Sequence, residues 1–425
     1  MTQGSILEYV MAIRERYLSS AKKEKTKILD EFTRATGRHR KAAIRLLHSA
    51  GRSKPRKRRG RRPQYSRPAV AALKVAWEAA DRMCGKRLQP FLPEFLQVLK
   101  RHRELAIMPE IEAEVCRMSA STIDRLSRPW RRLEAQRRFT TTKPGPLLKK
   151  AIPIRTFADW QENRPGFLEA DLVAHCGNNT RGFFLNTLSA VDVFSGWTEC
   201  VALWGKGQER VGGAVHQVRQ RLPFPLLGLD SDNGSEFINQ VLIGYCRRNK
   251  ITFTRARSSK KNDSCYVEQK NWAVVRRAIG YNRYSSRPAF DCLNRIYLLQ
   301  RLYVNLFQPV MRLVSKTRDG AKVHKVYDQA RTPYQRLLEA DALTEAKRQE
   351  LAATYLRLNP VSLKKQIEDN LERLESLRER PGAPPHPSQQ QDHLSNTNTD
   401  ATITPRVTLS VDAIRPSGAR VTVNF

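Results

Sequence analysis

Leu229-Asp230-Ser231-Asp232-Asn233-Gly234-Ser235-Glu236-Phe237 takes the chain from an apolar segment through a run of acids into a tight reversal. Pro225 to Leu229 is a short apolar run that turn residues bring to an end, the pattern of a buried strand. Asp232 closes that strand, and Asn233-Gly234 supplies the turn. Two further acids have comparable settings. Asp171 lies inside an earlier apolar run, among Leu168, Leu172 and Val173. Glu268 lies on a long helical pattern, Val267 to Ile279, that follows Lys260-Lys261-Asn262-Asp263. A carboxylate in the middle of a strand is costly unless a cation compensates it. A divalent ion shared by carboxylates from separate elements is the economical answer, and such hard oxygen donors suit Mg²⁺ or Mn²⁺. Taken singly, each acid has a plainer reading: Asp171 as a buried ion-pair partner, Asp232-Asn233-Gly234 as an ordinary turn, Glu268 as a solvated helix face.

Around these acids the pattern alternates in type. Leu168 to Ala174, Phe183 to Val193 and Trp197 to Leu203 are β-type runs, with Asn178-Asn179-Thr180-Arg181-Gly182 a hairpin-like loop between the first two. Val211 to Val218 reads as a helix, Phe237 to Cys246 as another, and Ile251 to Thr254 as a short strand. Three strands followed by alternating helix and strand predict a mixed α/β sheet. Glu169 and Asp230 share the strand faces of Asp171 and Asp232 by two-residue alternation.

In order and spacing the stretch from 167 to 280 resembles the catalytic core of retroviral integrases and the related bacterial insertion-sequence transposases. These have a ribonuclease-H-like fold, with the first Asp on the first strand, the second opening Asp-Asn-Gly after the fourth, and a Glu on a later helix. Thirty-five residues separate Asp232 from Glu268, the interval typical of that family. Ala190-Val191-Asp192-Val193-Phe194-Ser195-Gly196-Trp197 resembles the turn between its second and third strands. Lys261-Asn262-Asp263 with Val267-Glu268-Gln269-Lys270-Asn271 resembles its third signature. The resemblance spans about a quarter of the chain. It implies that Asp171, Asp232 and Glu268 are both catalytic residues and metal ligands, holding two Mg²⁺ (or Mn²⁺) ions. It places Glu169 and Asp230 behind them and leaves Asp192 to shape its turn. The family's N-terminal zinc module, with paired His and paired Cys, has no counterpart here.

The remaining segments read as follows. Residues 1–52 form a helix-turn-helix unit, its second helix opening on Arg38-His39-Arg40-Lys41. Residues 53–66 are a basic arm, in which Arg58, Arg59, Gly60, Arg61 and Arg62 resemble an AT-hook with one extra Arg. Residues 67–136 form a second helical DNA-binding unit. Ser119 or Ser121 caps its last helix, and Arg125 and Arg128 carry charge there. Residues 137–156 are a linker, 157–300 the ribonuclease-H-like core, 301–380 a helical C-terminal domain and 381–425 a disordered or weakly structured tail. One helix face in that domain, Leu363, Ile367, Leu371 and Leu374, suits packing either on its own subunit or on a partner.

Bulk composition agrees with this division. Seventy-six Lys and Arg against 41 Asp and Glu leave a formal charge of +35, which selects a polyanion such as DNA as partner. No apolar run approaches a membrane span or a signal peptide's core, so the expected location is the cytoplasm, on the bacterial nucleoid. The 7 cysteines are widely spaced and form no CxxC pair, as expected of buried thiols in a reducing compartment. The predicted function is a transposase that binds terminal inverted repeats, hydrolyses the 3′ ends and joins the 3′-hydroxyls to target DNA, working as a homodimer or larger assembly. Besides Arg38, Arg40, Lys41 and the arm, Lys260, Lys261 and Lys270 are expected on DNA. The alternatives are a regulator derived from a transposase, which loss of an acid would favour, and a ribonuclease-H-like nuclease, which needs no sequence readers.

Overall fold

A computed structural model describes residues 1–49, 64–133, 164–232, 234, 236, 237, 239–255 and 265–379. The arm residues Arg58, Arg59, Arg61 and Arg62, the expected linker, Lys260, Lys261 and the expected tail lie outside the described residues. The chain divides into two compact units, Met1–Gln64 and Tyr65–Phe425.

The first unit is a three-helix cluster: α1 (Gln3–Ser19), α2 (Lys22–Thr36) and α3 (Arg40–Ser49). Ile6, Val10 and Tyr17 from α1 meet Ile28, Leu29 and Phe32 from α2 and Ala43 and Leu47 from α3. Between α2 and α3 the chain turns through Gly37, at φ 66°, a left-handed conformation that costs glycine nothing. The turn is three residues long, Gly37-Arg38-His39, and delivers Arg40 and Lys41 to the start of α3.

The second unit is built on a five-stranded sheet. Its strands are β1 (Phe167–Ala174), β2 (Asn186–Asp192), β3 (Thr198–Leu203), β4 (Gly228–Ser231) and β5 (Thr252–Arg255), in the order β3-β2-β1-β4-β5. β1 pairs antiparallel with β2 and β2 with β3, while β1–β4 and β4–β5 are parallel. This is the mixed sheet expected from the pattern, although β4 begins later than the apolar run implied. The Phe167 ring lies over Gly228, its cross-strand partner, where a Cβ would collide with it. One sheet face, with Leu168, Ala170, Leu188, Val201 and Leu229, packs on α8 (Gln208–Arg221) and α9 (Gln240–Arg248). The other face carries Glu169, Asp171, Val173, Ser189 and Cys200. It is covered by α10 (Cys265–Lys270), the π-helical turn Asn271–Arg276 and α11 (Arg277–Ile279), together with α12 (Arg287–Phe307).

Three expectations about boundaries need correcting. Residues 67–136 are not a separately cored domain. Their helices α4 (Arg67–Ala79), α5 (Gly85–Arg101), α6 (Pro109–Cys116) and α7 (Ala120–Ser127) bury Trp77, Phe91 and Phe95 in one core with Tyr303 and Phe307 of α12 and residues of the last helices. Tyr303 fastens the junction by donating to the Ala79 carbonyl at 2.6 Å. The boundary at 300 falls inside α12, a continuous 21-residue helix. Nor is the C-terminal region purely helical: before α13 (Pro333–Glu339), α14 (Glu345–Arg357) and α15 (Pro360–Ser376) comes a hairpin of β6 (Leu313–Asp319) and β7 (Lys322–Tyr327). The stripe on α15 is used within the subunit. Leu363 and Ile367 enter the core shared with α4–α7, Leu374 enters the one under the sheet, and Leu371 packs against both. Among the described residues no helix is long and apolar enough to cross a membrane.

Candidate active site

Asp171 lies just beyond the last β1–β4 pair yet still within the β1–β2 ladder, opposite Ser189. Parallel β4 ends beside it, so Asp232, one residue past β4, emerges at the same edge of the sheet. Each Asp171 oxygen is held. Oδ1 accepts from the Leu172 N–H at 2.7 Å, and Oδ2 accepts from Nδ2 of Asn271 at 2.6 Å. Burial first, then the Asp232 carboxylate, with Glu268 adding less, pushes the Asp171 carboxyl up to about 7.

The third acid is positioned by buried Glu169. Glu169 Oε2 accepts from the N–H groups of Tyr266 and Val267, both at 2.9 Å. It thereby satisfies donors that the first turn of α10 leaves open, and a carboxylate is the natural group at that end. This docks α10 on β1 and presents Glu268, the next residue, as an exposed side chain. Glu169 is pushed up to about 8, chiefly by burial, with Asp230 and Glu268 adding to it and the two N–H bonds opposing. Asp230, cross-strand from Glu169, accepts from Thr254 Oγ1 at 2.5 Å. Glu169 and Asp230 are thus both buried, whereas Asp232 and Glu268 are exposed.

Asp171, Asp232 and Glu268 thus come from a strand, a strand end and a helix to one edge of the sheet, close enough that two of them raise the third. Among the described residues no three acidic, His or Cys side chains are already gathered into a metal cage. The donor set nevertheless fits a hard cation. All three are carboxylates, two are exposed, and Asp171 is disfavoured as an anion by the others, a cost that a cation would relieve. Mg²⁺ in particular is held by one or two carboxylates together with water and substrate phosphate.

Asp192 shapes its turn as expected. Oδ2 accepts from the Ser195 N–H at 2.7 Å and from Ser195 Oγ at 2.6 Å, while Oδ1 accepts from the Gly166 N–H at 2.8 Å. Ser119 is the cap of α7, accepting from the Thr122 N–H at 3.3 Å, and Arg125 and Arg128 are exposed beyond it. In the first unit Lys41 is exposed and Arg38 half-buried, while Arg40 is ion-paired with Asp30. Lys270 departs from expectation as a DNA contact. Only 7% exposed, it faces inward, and burial followed by the Arg87 guanidinium pushes it down to about 7. Two positioning roles are not assigned by the sequence, that of Asn271, which lies within the signature stretch, and that of Thr254. Asn271 is three positions after Glu268, a spacing that places both on one helical face; Thr254 had no local signal.

The uncharacterized protein y4rM of Sinorhizobium fredii (strain NBRC 101917 / NGR234) is 42% identical over 320 residues, covering 75% of this chain and 91% of that protein. No family model matches the chain. Among solved structures, the catalytic core domain of BIV integrase is 20% identical over 41% of this chain and 95% of its own, with a TM-score of 0.27. The HTLV-2 integrase catalytic core domain, solved in complex with magnesium, is 17% identical over 35% of this chain and 91% of its own, also at 0.27. A likeness at that score carries no weight for the site, which rests on the strand order and the acids themselves.

Proposed function

Because the chain belongs to the family of y4rM, itself uncharacterized, we propose its activity from its own residues: a metal-dependent DNA transposase with Asp171, Asp232 and Glu268 at its centre. The observation that carries this reading is the convergence of the three carboxylates from β1, the end of β4 and α10, with the Asp171 carboxyl raised first by burial and then by Asp232 and Glu268. The chain's +35 charge supplies the complementary argument for a polyanionic substrate.

In this reading Asp171, Asp232 and Glu268 hold two Mg²⁺ or Mn²⁺ ions. When bound, such a pair supplies charge stabilisation to the attacking and leaving oxygens of an in-line phosphoryl displacement. The protein's part is positional. The Leu172 N–H and Asn271 fix Asp171. Glu169 fixes the entry of α10 and hence Glu268, and the bond from Thr254 to Asp230 steadies the strand end that carries Asp232. Water displacing the 3′ oxygen from the scissile phosphate leaves a free 3′-hydroxyl on the element's end. That hydroxyl then attacks a target phosphodiester, forming the new P–O bond as the target strand's own 3′ oxygen leaves, so no covalent protein–DNA intermediate is required. The α2–Gly37–α3 turn with Arg38, Arg40 and Lys41, the arm with Arg58, Arg59, Arg61 and Arg62, Lys260 and Lys261, and the exposed Arg125 and Arg128 serve as DNA contacts.

The test uses labelled element ends with Mg²⁺. Asp232→Asn should lower cleavage and joining by at least about three orders of magnitude while end-binding, read by mobility shift, changes less than threefold. Appreciable cleavage by a correctly folded Asp232→Asn protein would overturn the assignment.

A further inference from the structure

A cavity of about 700 Å³ lies beside α10, with Glu268 outside its lining. That size falls within the range of small-molecule sites, about 300–1,000 Å³. Much of the wall is apolar, with Val191 of β2, Val274, Val304 of α12, and Ile367 and Leu371 of α15. Lys270 also lines this chamber. It is more than nine-tenths buried and has no hydrogen-bond or ion-pair partner among the described residues. A second polar group is stranded there. Gln300 donates through Nε2 to the Val274 carbonyl at 3.4 Å, but its buried Oε1 has no partner among the described residues.

The charges of the lining do not balance. Its two carboxylates, Asp81 and Glu368, are paired with Arg277 and Lys364. Arg87, which also lines the cavity, gives its Nε to the Pro309 carbonyl at 2.6 Å and has no carboxylate partner among the described residues. Arg87 and Lys270 thus share a largely apolar chamber whose two carboxylates are ion-paired elsewhere, Asp81 acting on Arg87 only from beyond ion-pair distance, an arrangement that costs free energy.

We propose that this cavity binds a small organic anion, with its charged head on Lys270 and Arg87 and its apolar body against Val191, Val304 and Ile367. The walls suit the apolar body, and two basic side chains without an ion-pair partner among the described residues suit the charge. Gln300 Oε1 adds an acceptor for an N–H or O–H on the same ligand. The proposal does not depend on DNA cleavage, since none of the three site acids lines the cavity.

The test uses the full chain with 8-anilinonaphthalene-1-sulfonate as probe, an aromatic body bearing one anionic group and one N–H. Saturable fluorescence enhancement at a single site is expected. Lys270→Met should weaken that binding at least tenfold and at the same time raise the melting temperature, because it replaces a buried amine that has no partner among the described residues with an apolar chain of similar length. Ala273→Phe, which fills the lining from α10's continuation, should abolish binding with the far-UV circular dichroism unchanged. Asp232→Asn should bind the probe as the unaltered chain does, which separates this site from the catalytic reading. Absence of saturable binding, or equal affinity in both cavity variants, overturns the proposal. A lowered melting temperature for Lys270→Met also overturns it, since that would make Lys270 a structural prop.

Discussion

Asn271 and Asp171 stand 100 positions apart in the chain and 2.6 Å apart in the fold. The bond fixes one carboxylate oxygen of the proposed metal-binding acid, which is the task of groups that orient ligands, and losing such a group typically costs about 10–100-fold in metal affinity or rate. Asn271→Ala should therefore raise the Mg²⁺ concentration needed for half-maximal cleavage by about that factor while leaving end-binding unchanged. An unaltered Mg²⁺ requirement would remove Asn271 from the site. A second residue-scale prediction concerns His175. It is fully buried, its Nε2 sits 2.7 Å from Thr187 Oγ1, and Thr187 in turn meets the Tyr297 hydroxyl at 2.6 Å. Burial first, then Arg276, pushes the imidazole down to about 3, so it stays neutral in the fold while an unfolded chain protonates it near pH 6.5. Its contribution to stability is therefore whole above about pH 6.5 and is lost as the pH falls toward 3, at up to about 1.4 kcal/mol per pH unit. Denaturant titrations of the unaltered chain and His175→Phe should show a stability difference that shrinks across pH 6.5 to 4.5. A difference that stays constant over that range would contradict the assignment.

At the scale of elements, strands were legible where alternation met a buried face, and sites where an acid interrupted it. Asp171 and Asp232 stood out as carboxylates in or at the end of apolar runs, and Glu268 as the acid at a family-like interval after Asp232. What could not be read shares a physical cause. The bonds from Asn271 to Asp171 and from Thr254 to Asp230 join side chains 100 and 24 positions apart, and no local pattern encodes such a pairing. The β6–β7 hairpin escaped because Val314, Val323 and Val326 face solvent, so its alternation marks no core. An amphipathic stripe, finally, states that a helix buries a face without naming the partner. The stripe on α15 was equally compatible with another subunit, and it closes on α4–α7 and α12 instead. Leu374 is 1% exposed, so Leu374→Ala should cost about 2–5 kcal/mol through lost burial and a cavity. If the face is intramolecular, that loss should be the same at micromolar and hundred-micromolar protein. A loss that grows on dilution would return the face to a subunit interface.

The whole molecule changes how a paired-end assembly should be tested. Two element ends joined at one target need two active sites on neighbouring phosphodiesters, and each chain supplies one set of acids, so the proposed active species is at least a dimer in which one protomer reads the end that another cuts. A chain without readers could be made by cutting at the expected linker, before residue 137. That cut would strip Trp77, Phe91 and Phe95 from the core they share with Tyr303, Phe307, Leu363 and Ile367, and inactivity would then report unfolding. The separable unit ends at Gln64. It holds α1–α3 with their own core and carries with it the arm containing Arg58, Arg59, Arg61 and Arg62. A fragment of residues 1–64 should fold, bind the terminal repeats in preference to random duplex, and lose affinity steeply with salt. Neutralising the four arginines together should lower the log–log salt slope by up to about 3–4, at about 0.9 for each phosphate no longer neutralised. The complementary chain, residues 65–425, should keep its fold and its acids yet fail to cut cognate ends alone, as should full-length Glu268→Gln for the opposite reason. Mixed on paired ends, the two should recover cleavage, because Glu268→Gln supplies the readers and the truncated chain supplies the acids. No recovery despite confirmed co-assembly would mean that each protomer cuts the end it reads.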